Sequence, residues 1–142
     1  MPLPQIAIAY VAAALTFLAL DAVWLGSMAE RLYRPAIGHL MAERFAVGPA
    51  ALFYLLYVGG IVFFAIAPAL EARKPVLAAL GHGALLGLVA YGTFDLTNQA
   101  VLKDWPWHVT LADLAWGSFV TAVAAAGGAA AAPWLHGLFA KS

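Results

Sequence analysis

The chain is organised around one stretch, Tyr91-Gly92-Thr93-Phe94-Asp95-Leu96-Thr97-Asn98-Gln99. This stretch carries a carboxylate, a phenol, threonine hydroxyls and side-chain amides near the end of a long apolar run. Polar groups are expensive inside a bilayer, so those that occur there usually have a functional or structural task. The stretch therefore predicts a polar layer within a membrane-spanning helix.

The composition around this stretch predicts an integral membrane protein. The 142 residues are 65% hydrophobic and 10% charged, whereas soluble domains average roughly 45–50% apolar and about 25% charged residues. The length fits a single domain, residues 1–142. A net charge of zero offers no basic face for nucleic acid. The absence of cysteine excludes disulfides and thiolate chemistry, and no motif specifies a cofactor.

Four apolar runs, at about residues 3–27, 49–70, 76–102 and 109–131, are each long enough to cross a bilayer, which takes about 20 residues of helix. The connection between the first two runs mixes apolar and charged residues, so it predicts an interfacial segment with a helix break at Arg34-Pro35. The expected fold is all-α, an integral membrane four-helix bundle. Its expected partner is the lipid bilayer, and its expected location is the bacterial cytoplasmic membrane.

Glycine and proline positions add detail to the packing of these spans. Gly83-xxx-Gly87 predicts a small-residue stripe that lets a neighbouring helix approach. Gly59-Gly60 predicts close packing in the middle of span two. Pro133 is expected to end span four, leaving the tail as a short interfacial segment.

Each of three spans contains one acid, namely Asp21, Asp95 and Asp113, and no span contains Lys or Arg. At about 1.5 Å of rise per residue, all three acids lie within roughly 6–11 Å of the same membrane interface. The spacing therefore predicts one acidic layer. In the leading functional hypothesis Asp95 is the central catalytic acid or base, and Asp21 and Asp113 are its partners.

Helical spacing selects the side chains that accompany each acid. The candidate substrate-binding residues lie on the same helix faces as the acids or at the same depth in span two: Tyr91, Asn98, Trp24, Trp116, Tyr54 and Tyr57. They outline a cup with acid and aromatic rings in its walls. No metal-ligand motif is present.

Several arrangements would offset the energetic cost of placing three carboxylates close together at low dielectric. They could share protons, bind a hard cation with help from Asn98 or from His39 and His108, or receive a cationic or hydroxyl-bearing substrate. Arg31 and Arg34 could also fold back and pair with them. The purely structural alternatives are a capping box at Thr110-x-x-Asp113, interface anchoring for the tryptophans and polar helix packing for Asp95.

The sequence also resembles a family of small bacterial predicted membrane proteins, domain of unknown function 2177. The resemblance covers nearly the whole chain and is carried by six segments: Leu20–Gly26, Leu32-Tyr33-Arg34, Ala51–Tyr57, Gly87–Asn98, Trp105-Pro106 and Asp113–Gly117. It implies four helices in the inner membrane and transfers no activity or site residue.

The leading functional hypothesis is an intramembrane pocket that binds or modifies a small lipophilic or lipid-like substrate. Whether the protein is an enzyme is left open. One alternative is an accessory or scaffold protein whose acids only hold helices together, with a partner membrane protein. Another is a proton- or cation-coupled transporter that acts as a homo-oligomer.

Overall fold

Four helices make up most of the described part of the chain, residues 1–141, in a computed structural model. They are α1 (Leu3–Leu40), α2 (Val47–Ala69), α3 (Pro75–Val101) and α4 (Trp107–Phe139). The described residues are 86% helical and contain no strand. Each helix is long and apolar enough to span a membrane. The predicted all-α class with four candidate spans is confirmed.

Both α1 and α2 contain a π-helical turn directly before a proline. The turns are Ala29–Tyr33, before Pro35, and Ile61–Ile66, before Pro68. A proline ring clashes with the carbonyl four residues earlier in an α-helix, and in both helices that carbonyl belongs to the π turn. The wider turn, with its i→i+5 bonding, therefore relieves this clash, and each helix continues beyond its proline.

The predicted break at Arg34-Pro35 is consequently wrong. The Arg34 N–H donates to the carbonyl of Ala29, so hydrogen bonding continues across the expected break. A short α-helix, Arg34–Ile37, and a 3₁₀ turn, Gly38–Leu40, then extend α1. The predicted interfacial segment is thus largely a continuation of the first helix.

The predicted end of span four is also wrong, because α4 runs through Pro133 to Phe139. The residues before this proline are mostly alanine, the strongest helix former. A proline inside a membrane helix is tolerated where neighbouring groups satisfy the freed backbone carbonyl. Residues 134–139 of the expected interfacial tail are therefore the end of a helix, and Ser142 lies outside the described residues.

The central helix is α4, which packs against both α1 and α3. In its most apolar window 50% of the residues are buried, against 22% to 33% in the other three helices. Its buried positions are mainly small: Gly117, Ala124, Ala125, Gly128, Ala129 and Ala132. Small side chains let backbones approach closely, and this drives helix association in lipid.

The closest helix contact is that between α3 and α4. A Cβ at Gly83 would lie 2.7 Å from the carbonyl oxygen of Thr121, and one at Gly87 would overlap the carbonyl of Gly117. Ser118 Oγ donates across the same interface to the carbonyl of Ala84 at 2.9 Å. The predicted packing of the Gly83-xxx-Gly87 stripe is confirmed.

The prediction for Gly59-Gly60 is wrong. A Cβ at Gly59 would meet nothing within 4 Å, and one at Gly60 would meet only a Phe64 ring carbon of its own helix, at 4.0 Å. The close packing of α2 instead begins at Ile61–Ile66, which contacts α3 and α4. The preceding part, Val47–Gly60, packs on α1, and its ring contact with α3 is a wide one, between Tyr57 and Tyr91 with centroids 6.3 Å apart. This difference leaves room between α2 and α3 at the level of the acids.

Replacing Gly87 by alanine tests the close approach of α3 to α4. We expect Gly87→Ala to lower the midpoint of thermal unfolding in nanodiscs, because overpacking typically costs about 1–3 kcal/mol. Gly81→Ala, on the same helix with nothing within 4 Å of its added methyl, is the matched control and should be neutral or stabilising. Equal midpoints for the two variants would contradict the packing described here.

Candidate functional site

A cavity of about 370 Å³ opens at the level of the three acids and is lined by side chains from all four helices. The structure brings most of the predicted site residues into its wall: Asp21, Trp24, Tyr54, Tyr91, Asp95, Asp113 and Trp116. The other lining residues are not among those predicted: Leu25, Tyr33, Phe53, Ala90 and Phe94.

Asp21 is held by donors from two neighbouring helices. Tyr54 Oη donates to one carboxylate oxygen at 2.5 Å, and Trp116 Nε1 donates to the other at 3.2 Å. Asp21 is only 7% exposed. Because both oxygens accept a hydrogen bond, burial of this carboxylate is compensated as buried charges require.

The arrangement in which Arg31 and Arg34 pair with the acids, one of those considered from the sequence, does not occur in the described part of the chain. Arg34 Nε instead contacts Glu30 Oε1 at 2.8 Å, with both side chains exposed. These two residues lie four apart on the same helix, where such pairs form readily. Arginine therefore supplies no counter-charge to the cavity.

Asp113 is held by a chain of two hydrogen bonds that begins on α1. Trp24 Nε1 donates to Tyr33 Oη at 2.9 Å, and Tyr33 Oη donates to Asp113 Oδ1. Tyr33 belongs to the π turn of α1. The turn thus connects the extension of α1 to α4.

The capping-box prediction for Asp113 is wrong. The helix begins at Trp107, with Pro106 as its cap and no side-chain capping bond, so Asp113 lies well inside it. The Thr110 hydroxyl donates to Gln99 Oε1 at 2.7 Å and accepts from Trp105 Nε1 at 3.1 Å. The threonine fastens the loop between α3 and α4 rather than capping a helix.

Asp95 differs from the other two acids. Its side chain is 0% exposed, and neither carboxylate oxygen has a hydrogen-bond partner among residues 1–141. Asp113 and Trp105 lie close enough to interact with it, but neither meets the distance and angle of a hydrogen bond. Nearly all buried polar groups in proteins are hydrogen-bonded, so Asp95 is the acid of this site whose hydrogen bonding is unsatisfied.

Aromatic rings form much of the remaining wall. Trp24 and Trp116 are stacked, with ring centroids 4.5 Å apart and an angle of 8° between the planes. The ring of Tyr91 lies so close to Gly117 that a Cβ there would overlap it. Gly117 therefore permits Tyr91 to lie against α4 at the edge of the cavity.

The rim of the cavity is exposed and apolar. Leu25 is 41% exposed, Phe53 46% and Phe94 59%. They come from α1, α2 and α3, and all three line the cavity. Because these helices are candidate membrane spans, the surface around the opening is one that acyl chains would cover.

Two predicted binding residues lie outside the cavity wall. Tyr57 is one turn deeper than Tyr54, and its hydroxyl hydrogen-bonds Thr121 Oγ1 at 2.8 Å. Its ring packs edge-on against Phe17 with centroids 5.5 Å apart, so it belongs to the core. Asn98 is half-buried on α3 and is not part of the lining.

Tyr33 is the polar lining residue that sequence spacing missed. It follows Asp21 by twelve positions, which in a regular α-helix places it roughly 120° round the axis at about 100° per residue. A π turn takes up about one extra residue, which reduces this offset to roughly 20°. Only the proline at position 35 hinted at such a turn.

The described residues contain no group of three or more His, Cys, Asp or Glu side chains arranged to hold a metal ion. His39, one of the predicted helpers, instead pairs with Asp104 at 3.3 Å on the surface. The cation arrangement considered from the sequence is therefore not preformed.

Fold and composition together define a multi-pass integral membrane protein with four candidate spans and a cavity that carries three acids. The chain belongs to the family described as "Predicted membrane protein (DUF2177)", whose model matches residues 6–130. The resemblance inferred from the sequence is thereby confirmed. No curated protein and no solved structure matches the chain.

Removing the Tyr33 hydroxyl tests the connection between α1 and α4. We expect Tyr33→Phe to speed amide hydrogen exchange in residues 34–40, because the extension of α1 loses its hydrogen bond to Asp113. Thermal stability should also fall, since hydrogen bonds to charged groups contribute about 1.5–3 kcal/mol. Tyr10→Phe is the control, because the Tyr10 hydroxyl donates to the carbonyl of Leu55 away from the cavity. Unchanged exchange in Tyr33→Phe would show that the connection is not stabilising.

Proposed function

We propose that the cavity is a binding site for a small lipophilic or lipid-like molecule, and that Asp95 receives the polar group of this molecule. The observation that carries the proposal is the state of Asp95. It is fully buried, it lines the cavity, and neither of its oxygens has a partner in the described chain. A buried carboxylate is costly without compensation, and a ligand's polar group would supply it.

The dimensions and walls of the cavity support a lipophilic ligand. Its volume of about 370 Å³ falls at the small end of the range for ligand sites, roughly 300–1,000 Å³. Apolar and aromatic walls with a few convergent polar groups are typical of such sites. The exposed rim formed by Leu25, Phe53 and Phe94 gives a hydrophobic molecule a path from the bilayer.

The three acids take different roles in this proposal. Asp21 and Asp113 are held in place by tyrosine and tryptophan donors, so they define the shape and charge of the site. Asp95 contacts the ligand, and in any proton transfer to a bound substrate it is the group that gives or takes the proton. Trp24, Trp116 and Tyr91 shape the walls.

The competing hypothesis is a scaffold whose acids only hold helices together. The two hypotheses make opposite predictions for Asp95→Leu. Replacing a buried carboxyl group that has no hydrogen-bond partner by an apolar side chain removes an uncompensated burial cost, so the binding proposal predicts an unchanged or higher unfolding midpoint. A scaffold role predicts destabilisation.

The matched control is Asp113→Leu, the same substitution one helix away. It leaves the Tyr33 hydroxyl without its acceptor, and a buried donor left unsatisfied costs about 1–3 kcal/mol. We therefore expect Asp113→Leu to unfold at a lower temperature than Asp95→Leu. The reverse order would favour the scaffold.

Binding itself is measured with a photoreactive probe, a twelve-carbon alcohol carrying a diazirine, added to the protein in nanodiscs. We expect saturable labelling at cavity residues, mapped by mass spectrometry. Ala90→Phe, which fills the cavity and removes no polar group, should abolish the saturable labelling and leave the labelling of outer lipid-facing residues unchanged. Labelling at the cavity that rises linearly with probe in the native protein would overturn the proposal.

A further inference from the structure

We infer that the ligand's polar group is a protonated amine with at least two N–H donors, a primary or secondary ammonium on a lipophilic body. This inference rests on the proposed function and names the chemical class that the site takes. It is argued from the charge of the wall, the hydrogen-bond vacancies on the acids and the placement of the indole rings.

Every charged side chain in the cavity wall is an acid. Asp21, Asp95 and Asp113 line the space, and no Lys, Arg or His is among the described residues that do so. The two ion pairs within residues 1–141 lie on the surface, at Glu30–Arg34 and His39–Asp104. Buried charges are usually paired, so a cationic ligand would balance the charge of the acids in this wall.

The carboxylate oxygens that have no hydrogen-bond partner indicate which donors such a cation should have. Both oxygens of Asp21 and one oxygen of Asp113 already accept from tyrosine or tryptophan. Neither oxygen of Asp95 has a hydrogen-bond partner in the described part of the chain. An ammonium with two or more N–H groups supplies donors and charge together, and charge-assisted hydrogen bonds are roughly twice as strong as neutral ones. A quaternary ammonium supplies charge alone, and a hydroxyl supplies one uncharged donor.

The aromatic wall favours the same ligand. Trp24 and Trp116 line the cavity as a stacked pair, and tryptophan is the aromatic side chain that attracts cations most strongly. Tyr91 and Tyr54 line the same space. An ammonium group in this cavity would therefore have acids and aromatic rings as neighbours, and both can stabilise positive charge.

A carboxylate-bearing ligand is disfavoured by the same arrangement, because like charges at low dielectric repel strongly. The main rival is a proton held between Asp95 and Asp113, whose carboxylates interact. A protonated pair would lower the negative charge of the wall and would prefer a neutral hydroxyl. The two cases therefore differ in which head group binds best.

The test compares four competitors that share one twelve-carbon chain: dodecylamine, dodecyltrimethylammonium, dodecanol and dodecanoate. Each competes with the photoreactive alcohol for the cavity in nanodiscs, at matched mole fractions in the bilayer. We expect dodecylamine to compete about ten- to a hundredfold more strongly than dodecanol, the size of effect that a charge-assisted hydrogen bond gives. Dodecyltrimethylammonium should fall clearly below dodecylamine, and dodecanoate should be weakest.

The variant Asp95→Asn assigns the preference to its residue. It preserves shape and removes the charge, so dodecylamine should fall to within about threefold of dodecanol, a difference of less than one hydrogen bond. An amine preference that survives in Asp95→Asn would overturn the assignment to Asp95. The competitor series in the native protein decides the amine class by itself, so poor folding of the variant would not rescue a failed inference.

The outcomes separate this inference from the proposed function. Absence of saturable cavity labelling in the native protein would overturn both. Saturable labelling with dodecanol equal to dodecylamine would overturn the amine inference and leave the binding site standing. Equal competition by dodecylamine and dodecyltrimethylammonium would show that charge alone is read and that the N–H donors are not.

Discussion

The approach of α3 to α4 at Gly87 and Gly117 is the constraint on which the site depends. The backbone of α3 comes so close to α4 that a Cβ at Gly87 would overlap the carbonyl of Gly117. One turn further along α3, the ring of Tyr91 covers Gly117, and one turn beyond that lies Asp95. The small residues therefore fix the height and rotation of α3 against α4, and the cavity lies beside Tyr91 and Asp95, the next two turns of α3.

The acids of the cavity are handled in two different ways. Asp21 and Asp113 accept hydrogen bonds from tyrosine and tryptophan side chains on other helices or on the extension of α1. The same bonds compensate the burial of charge and tie the bundle together. Asp95 takes no part in these bonds. This asymmetry distinguishes the two acids that connect helices from Asp95, on which the proposed binding role rests.

The spans and the common depth of the acids follow from features that sequence displays directly, since apolar runs and a rise of about 1.5 Å per residue need no tertiary information. The Gly83-xxx-Gly87 stripe is visible for the same reason. The π turns are not predicted by regular helical spacing. They shift the helical phase by about one residue, so spacing did not place Tyr33 beside the acids. Tyr57 and Asn98 share the right depth, but their outcome depended on neighbours that spacing along one helix does not reveal.

In the proposed binding site, the exposed side chains of Phe53 and Phe94 at the cavity rim would determine which solvent the site exchanges with. An opening surrounded by acyl chains draws from molecules already dissolved in the bilayer, and these diffuse in two dimensions. Occupancy then follows the mole fraction of ligand in the membrane and not its concentration in water. A weakly water-soluble molecule that partitions strongly into lipid could thus fill such a site while its aqueous concentration stays negligible.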